Sequence, residues 1–136
     1  LFAEAVTSDF TTGVDSCRVE GDGEFSWEAV TGNPGGCFRV DDYVCNDMIY
    51  AYAPHKFIGD WSVATETDTL SADIYLGSSG YDYVTPNFVF KISGPGGVAK
   101  AILNPTPPEF DWITYSVPIA ASQWTVVWGD WNDILD

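Results

Sequence analysis

The chain is short of positive charge, of histidine and of paired cysteine motifs, and each shortage removes a class of function. Five Lys and Arg stand against twenty Asp and Glu, for a net charge of −15. A nucleic-acid binder needs a cationic surface to displace counterions from phosphates, and an anionic membrane surface asks for the same, so neither is an expected partner. The single histidine, His55, cannot build a His-rich metal centre. A Ser-His-Asp triad would need an activated serine on a recognisable turn, whereas "GSSG" at 77–80 lacks the G-x-S-x-G form and reads as a hairpin loop. "SGPGG" at 93–97 lacks the Lys-Ser/Thr ending of a phosphate loop. No C-x-x-C pair is present, which argues against zinc and thioredoxin-type sites. No apolar run approaches the roughly eighteen residues of a membrane helix, and long amphipathic helical patterns are missing. No charged-then-apolar segment opens the chain; "LFAEA" reads as the tail of one or the start of a mature form.

The three cysteines, Cys17, Cys37 and Cys45, leave one disulfide plus a free thiol, or three thiols. Cys37 and Cys45 fall on one expected hairpin, out of cross-strand register, so any bridge should join Cys17 with Cys37 or with Cys45.

What is present is strand pattern. At 136 residues and 46% hydrophobic, the chain fits one folded domain, 1–136. In "TLSADIYL", Leu70, Ala72, Ile74 and Leu76 alternate with Ser71, Asp73 and Tyr75, the period of a strand with one dry face. The same period places Phe88, Phe90 and Ile92 together, Ile113, Tyr115 and Val117 together, and Phe25, Trp27 and Ala29 together. "CFRVD" and "MIYAYA" are further strand candidates. The breakers "GDG" at 21–23, "GNPGG" at 32–36, "GSSG", "SGPGG" and "NPTPP" at 104–108 separate them. This predicts an all-β, antiparallel, two-sheet sandwich or barrel. One helix signal stands near the end: in "DWNDIL", Asp130 can cap and Asp133 follows in the first turn.

Candidate sites follow from residue chemistry. No EF-hand pattern exists, but acids crowd the turns at Glu20 and Asp22, and at Asp41, Asp42 and Asp47, where free carbonyls could complete a calcium site; solvated turns explain the same acids. Calcium is the one cofactor left open. A glycosidase needs two carboxylates at a set separation, and nothing singles out a pair among twenty acids. Six Trp and seven Tyr are many for this length, and an aromatic face beside polar groups suits a sugar ring. Trp61, Tyr81, Tyr83, Trp128 and Trp131 lie in or beside expected loops and are the candidates for carbohydrate binding; Trp27, Trp112 and Trp124 lie inside strands, where core packing competes.

"GNPGGCFRVDD", "IYAYAPHKFIGDW", "TLSADIYL", "DWITYSVPI" and "SQWTV", in that order, resemble the laminin IV (laminin B) domain, and most of all its short microbial and algal secreted relatives. The resemblance runs from about residue 21 to 136. It implies a jelly-roll-like sandwich of galactose-binding type, outside the cell or at its surface, without catalysis. Ala53, Pro54, Lys56, Phe57 and Gly59 match a segment that looks structural in the family, with His55 at its variable position. In this reading Phe57 and Ile58 plug the core. The family pattern continues beyond "DILD" into further strands, which implies an incomplete C-terminal end: an open edge or a neighbouring chain along it, with 130–136 loosely packed. The expected function is a non-catalytic interaction domain for a glycan or an extracellular matrix or protein partner. The alternative is a structural subunit of an extracellular assembly, completed by neighbouring chains.

Overall fold

A computed structural model describes residues 5–43, 48–77 and 88–136. It is built mostly of antiparallel strands with little helix. The chain divides into two compact units, Leu1–Gly59 and Asp60–Asp136.

In the first unit β1 (Arg18–Glu20) pairs antiparallel with β4 (Tyr50–Tyr52). The long hairpin of β2 (Gly23–Gly32) and β3 (Gly35–Asp42) turns at "GNPGG", where Gly35 takes φ +85°. Its aromatic face carries Phe25 and Phe38, 5.5 Å apart between centroids, with Phe10 stacked on Phe38 at 6.4 Å. The Trp27 indole donates to the Phe10 carbonyl at 2.7 Å. Phe25 and Trp27 remain partly exposed, so the face expected to be dry is only half covered.

The segment 53–59 straps this unit. Pro54 is buried after β4, and His55–Phe57 makes one 3₁₀ turn. Asp15 and Ser16 both adopt left-handed backbone, φ 48° and 64°. From there the Ser16 hydroxyl accepts the His55 N–H at 3.0 Å and the Asp15 carboxylate pairs with Lys56 Nζ at 2.5 Å. His55 itself is exposed and Phe57 is half-buried. Ile58, expected in the core, is 71% exposed: the strap turns outward after Phe57.

In the second unit β5 (Thr69–Tyr75) pairs with β8 (Trp112–Pro118), and β6 (Val89–Gly94), β7 (Gly97–Ile102) and β9 (Thr125–Gly129) form a sheet in the order β6-β7-β9. The expected alternation holds in β5 and β8: Leu70, Ala72 and Ile74 face inward with Ile113, Tyr115 and Val117. Ala99, Ala101, Trp124 and Ile134 form the buried cluster, with Leu70, Phe90, Ile92, Val117 and Trp131 against it. Tyr115 is buried and donates its hydroxyl to the Pro105 carbonyl at 2.5 Å, and Trp124 donates to the Pro118 carbonyl at 2.8 Å.

The C-terminal segment corrects an expectation. Residues 130–136, expected to pack loosely, form α1 (Trp131–Leu135) on β6 and β7, with Ile134 and Leu135 buried. Asp130 caps the helix as the sequence predicts, accepting the Asn132 N–H at 3.0 Å, and Asp133 lies in the first turn. Backbone lies directly on backbone here: a Cβ on Gly94 would stand 2.2 Å from the Ile134 carbonyl oxygen, and one on Gly96 would stand 2.1 Å from Asp133 Cβ.

Candidate functional site

The strand β5 is reached through a loop, 60–68, that its own acids shape. Asp60 accepts the Ser62 N–H at 2.7 Å, and Asp68 accepts the Thr65 N–H at 2.7 Å and its hydroxyl at 2.9 Å. These bonds hold both carboxyls below the ordinary aspartate range: at Asp60 the Ser62 hydroxyl contributes most, then its N–H, and at Asp68 the Thr65 N–H contributes most, then the hydroxyl. The loop is tied at both ends. The Trp61 N–H donates to the Leu135 carbonyl at 2.6 Å, and the Asp68 carbonyl accepts the Ile119 N–H at 2.8 Å.

Between this loop, the 119–121 stretch and α1 lies an open groove of about 400 Å³. Trp131, Leu135 and Ile119 supply its apolar wall, and Ser62, Glu66, Asp130 and Asn132 its polar one. Trp131 is half-buried and its ring leans on Trp124, 5.9 Å between centroids, so the indole is held rather than free to swing. Among the described residues the lining holds two carboxylates and no Lys, Arg or His. Such a groove offers a flat apolar surface, an amide and hydroxyl and carboxylate acceptors, and repels anions.

Of the residues proposed for sugar contact, Trp131 lines this groove. Trp61 is half-buried and anchors the loop beside it, and Trp128 is 57% exposed on β9, outside the lining. Tyr81 and Tyr83 lie outside the described residues. Ser62, Glu66 and Asn132 were missed, because no local pattern announces that a loop at 62–66 will meet a helix at 131–135.

The calcium candidates do not converge. Glu20 accepts the Tyr52 hydroxyl across the β1–β4 pair, and Arg18 lies over the same ring at 4.7 Å. Asp41 is held by Arg39 at 2.8 Å. Asp42 ends β3 opposite Gly23, Asp22 stands in the preceding turn, and Asp47 is outside the described residues. Among the described residues no three side chains are grouped to hold a metal ion. Local donors thus engage two of the carboxylates that the sequence offered to a cation, Glu20 and Asp41.

The bridge between Cys17 and Cys37 is not formed; both are free thiols. Cys37 sits in β3 with its sulfur 3.4 Å from the Thr31 hydroxyl, while Cys17 is buried in the turn before β1. Burial pushes the Cys17 thiol up to about 11, with the Asp15 charge adding to it. Cys45 lies outside the described residues.

No family model matches the chain, and neither curated proteins nor solved structures contain a match. Among the described residues no helix is long and apolar enough to cross a membrane.

Proposed function

We propose that the protein is a non-catalytic interaction domain, outside the cell or at its surface, that recognises a neutral glycan or matrix component at the α1 groove. In this proposal the chain is a laminin-IV-like domain of jelly-roll, galactose-binding type. The observation that carries the reading is the fixed Trp131 indole beside Asn132, Ser62, Glu66 and Asp130. An indole covers a sugar ring, and the amide and carboxylates take its hydroxyls. A net charge of −15 disfavours sulfated or phosphorylated ligands. A glycan array probed with the intact chain tests it. Binding to neutral glycans that Asn132→Ala and Glu66→Gln each weaken about tenfold supports the reading, and an array without a signal, or one these variants leave untouched, rejects it.

A specific observation favours the second reading, a subunit of an extracellular assembly. All five residues of β9 are exposed, with Val127 at 56% and Trp128 at 57%, and among the described residues the strand pairs only with β7. An exposed apolar edge accepts a strand from a neighbour. Concentration-dependent assembly abolished by Val127→Lys is the expected sign; a monomer at all concentrations removes this reading.

A further inference from the structure

The ribbon of β5 and β8 has an outer face as regular as its inner one. The register sets Tyr75 against Trp112, Asp73 against Thr114, and Ser71 against Ser116. Because side chains alternate, these six residues share the face opposite Leu70, Ala72 and Ile74. At one end the Tyr75 and Trp112 rings pair at 5.3 Å and 44°, with Tyr75 43% exposed. Along the strands from the rings, the Thr114 hydroxyl donates to Asp73, and the Ser71 and Ser116 hydroxyls bond at 2.8 Å.

We propose that this face is a binding surface for a linear, uncharged polysaccharide laid along the two strands, with one sugar ring on the Tyr75–Trp112 pair. It shares no residue with the α1 groove and stands on a different observation. The polar pairs are mutually held, so they are ordered before a ligand arrives. They are not saturated: each hydroxyl keeps a second lone pair, and a carboxylate accepts at about four sites. Hydroxyl-rich ligands are therefore offered both stacking and hydrogen bonds.

The shape selects an extended chain. Successive rows on one face stand about 7 Å apart and the strands about 5 Å apart, so the strip is longer than it is wide. The charge selects a neutral one. Asp73 is the only charged group of the strip, and no Lys or Arg is present to receive sulfate, phosphate or uronate. A second copy of the chain is a poor occupant. Two of the three rows are polar, and the copy would bring like charge to Asp73 with −15 behind it.

Native affinity electrophoresis of the intact chain in gels containing hydroxyethylcellulose, laminarin or galactomannan tests this, with alginate as the anionic counterpart. Retardation by at least one neutral polymer and none by alginate is expected. Tyr75→Ala should weaken it about tenfold. Ser71→Arg, which leaves the rings intact and obstructs the strip, should do the same, while Asn132→Ala and Glu66→Gln in the groove should leave it unchanged. Circular dichroism establishes that each variant is folded, and Ser71→Arg carries the test if Tyr75→Ala is not. No retardation by any neutral polymer overturns the proposal, as does retardation lost only through the groove variants. A dimer in sedimentation that Ser71→Arg dissolves would assign the face to a second copy and overturn it too.

Discussion

Replacing Gly94 with alanine should unseat α1. An alanine Cβ would lie 2.2 Å from the Ile134 carbonyl oxygen and 3.0 Å from its carbonyl carbon. Those are backbone atoms, so no rotamer change relieves the clash. The substitution alone would favour folding by about 0.4–1 kcal/mol, since it narrows the unfolded ensemble and Gly94 is not in the left-handed region. Against that, overpacking costs about 1–3 kcal/mol. Lifting the helix also withdraws Ile134, 3% exposed, from Ala99, Ala101 and Trp124. Complete loss of such a contact costs about 2–5 kcal/mol, and only part is lost if the helix tilts. The sum is a destabilisation of about 2 kcal/mol, or a fall in melting temperature of roughly 10 °C for a small domain. Gly77→Ala is the matched control: among the described residues nothing lies within 4 Å of its Cβ position, so it should be neutral or slightly stabilising. Urea and thermal melts followed by tryptophan fluorescence measure both. A Gly94→Ala variant as stable as the parent, or a Gly77→Ala variant that falls equally, would refute the account of how the helix is held.

His55→Ala should leave stability nearly unchanged, because only its main chain is engaged, whereas Phe57→Ala should cost about 2 kcal/mol, less than the ~3–5 of a fully buried Phe; denaturant midpoints compare them. Thiol labelling at pH 8, mapped by mass spectrometry, should modify Cys37 in the folded protein and Cys17 only on unfolding, because Cys17 is buried and its thiol is raised to about 11. The Lys56 ammonium first, and the Ser8 hydroxyl second, depress the Asp15 carboxyl below 3.8. Its contribution to stability is therefore complete above that value and is lost as pH falls through the lowered one. Melts from pH 6 to 2 should show Asp15→Asn less stable at the upper end and converging with the parent at the lower.

Much of the second unit was legible because period and burial agree. "TLSADIYL" and "WITYSV" become β5 and β8 with the expected inward residues, and "DWNDIL" becomes a capped helix. The alternation that turns Ile113 and Tyr115 inward also turns Trp112 outward, so its place on the outer face with Tyr75 was written in the pattern although the indole suggested core. β7 was hidden by its composition: Ala99 and Ala101 bury little surface each, and "GVAKAI" has no aromatic residue and only Val98 and Ile102, with a lysine between them, to mark a strand. The loosely packed C-terminus was an inference from resemblance. The glycines that overturn it, Gly94 and Gly96, read as turn breakers in sequence, and their second property, room for a helix backbone, appears only in three dimensions.

The acids show what else such a composition reflects. A charge of −15 suggests a surface waiting for cations, yet many of these carboxylates have a local partner. Asp9 accepts the Thr11 N–H at 3.1 Å, Asp60 that of Ser62, Asp68 that of Thr65, Asp111 that of Trp112 at 2.9 Å, and Asp130 that of Asn132. Each bond engages a main-chain donor in a turn or at the start of a strand or helix. Short strands joined by many turns need many such acceptors, and aspartate supplies one within reach of its own backbone. Part of the acidity is thus a consequence of the topology. Where an acid belongs to a proposed surface, other groups single it out: Glu66 and Asp130 by the Trp131 indole in the groove, and Asp73 by its row between the ring pair and the serines. Asp130 does both, capping α1 through one oxygen while its residue lines the groove, so Asp130→Ala should weaken the helix cap and glycan binding together, whereas Glu66→Gln should touch binding alone.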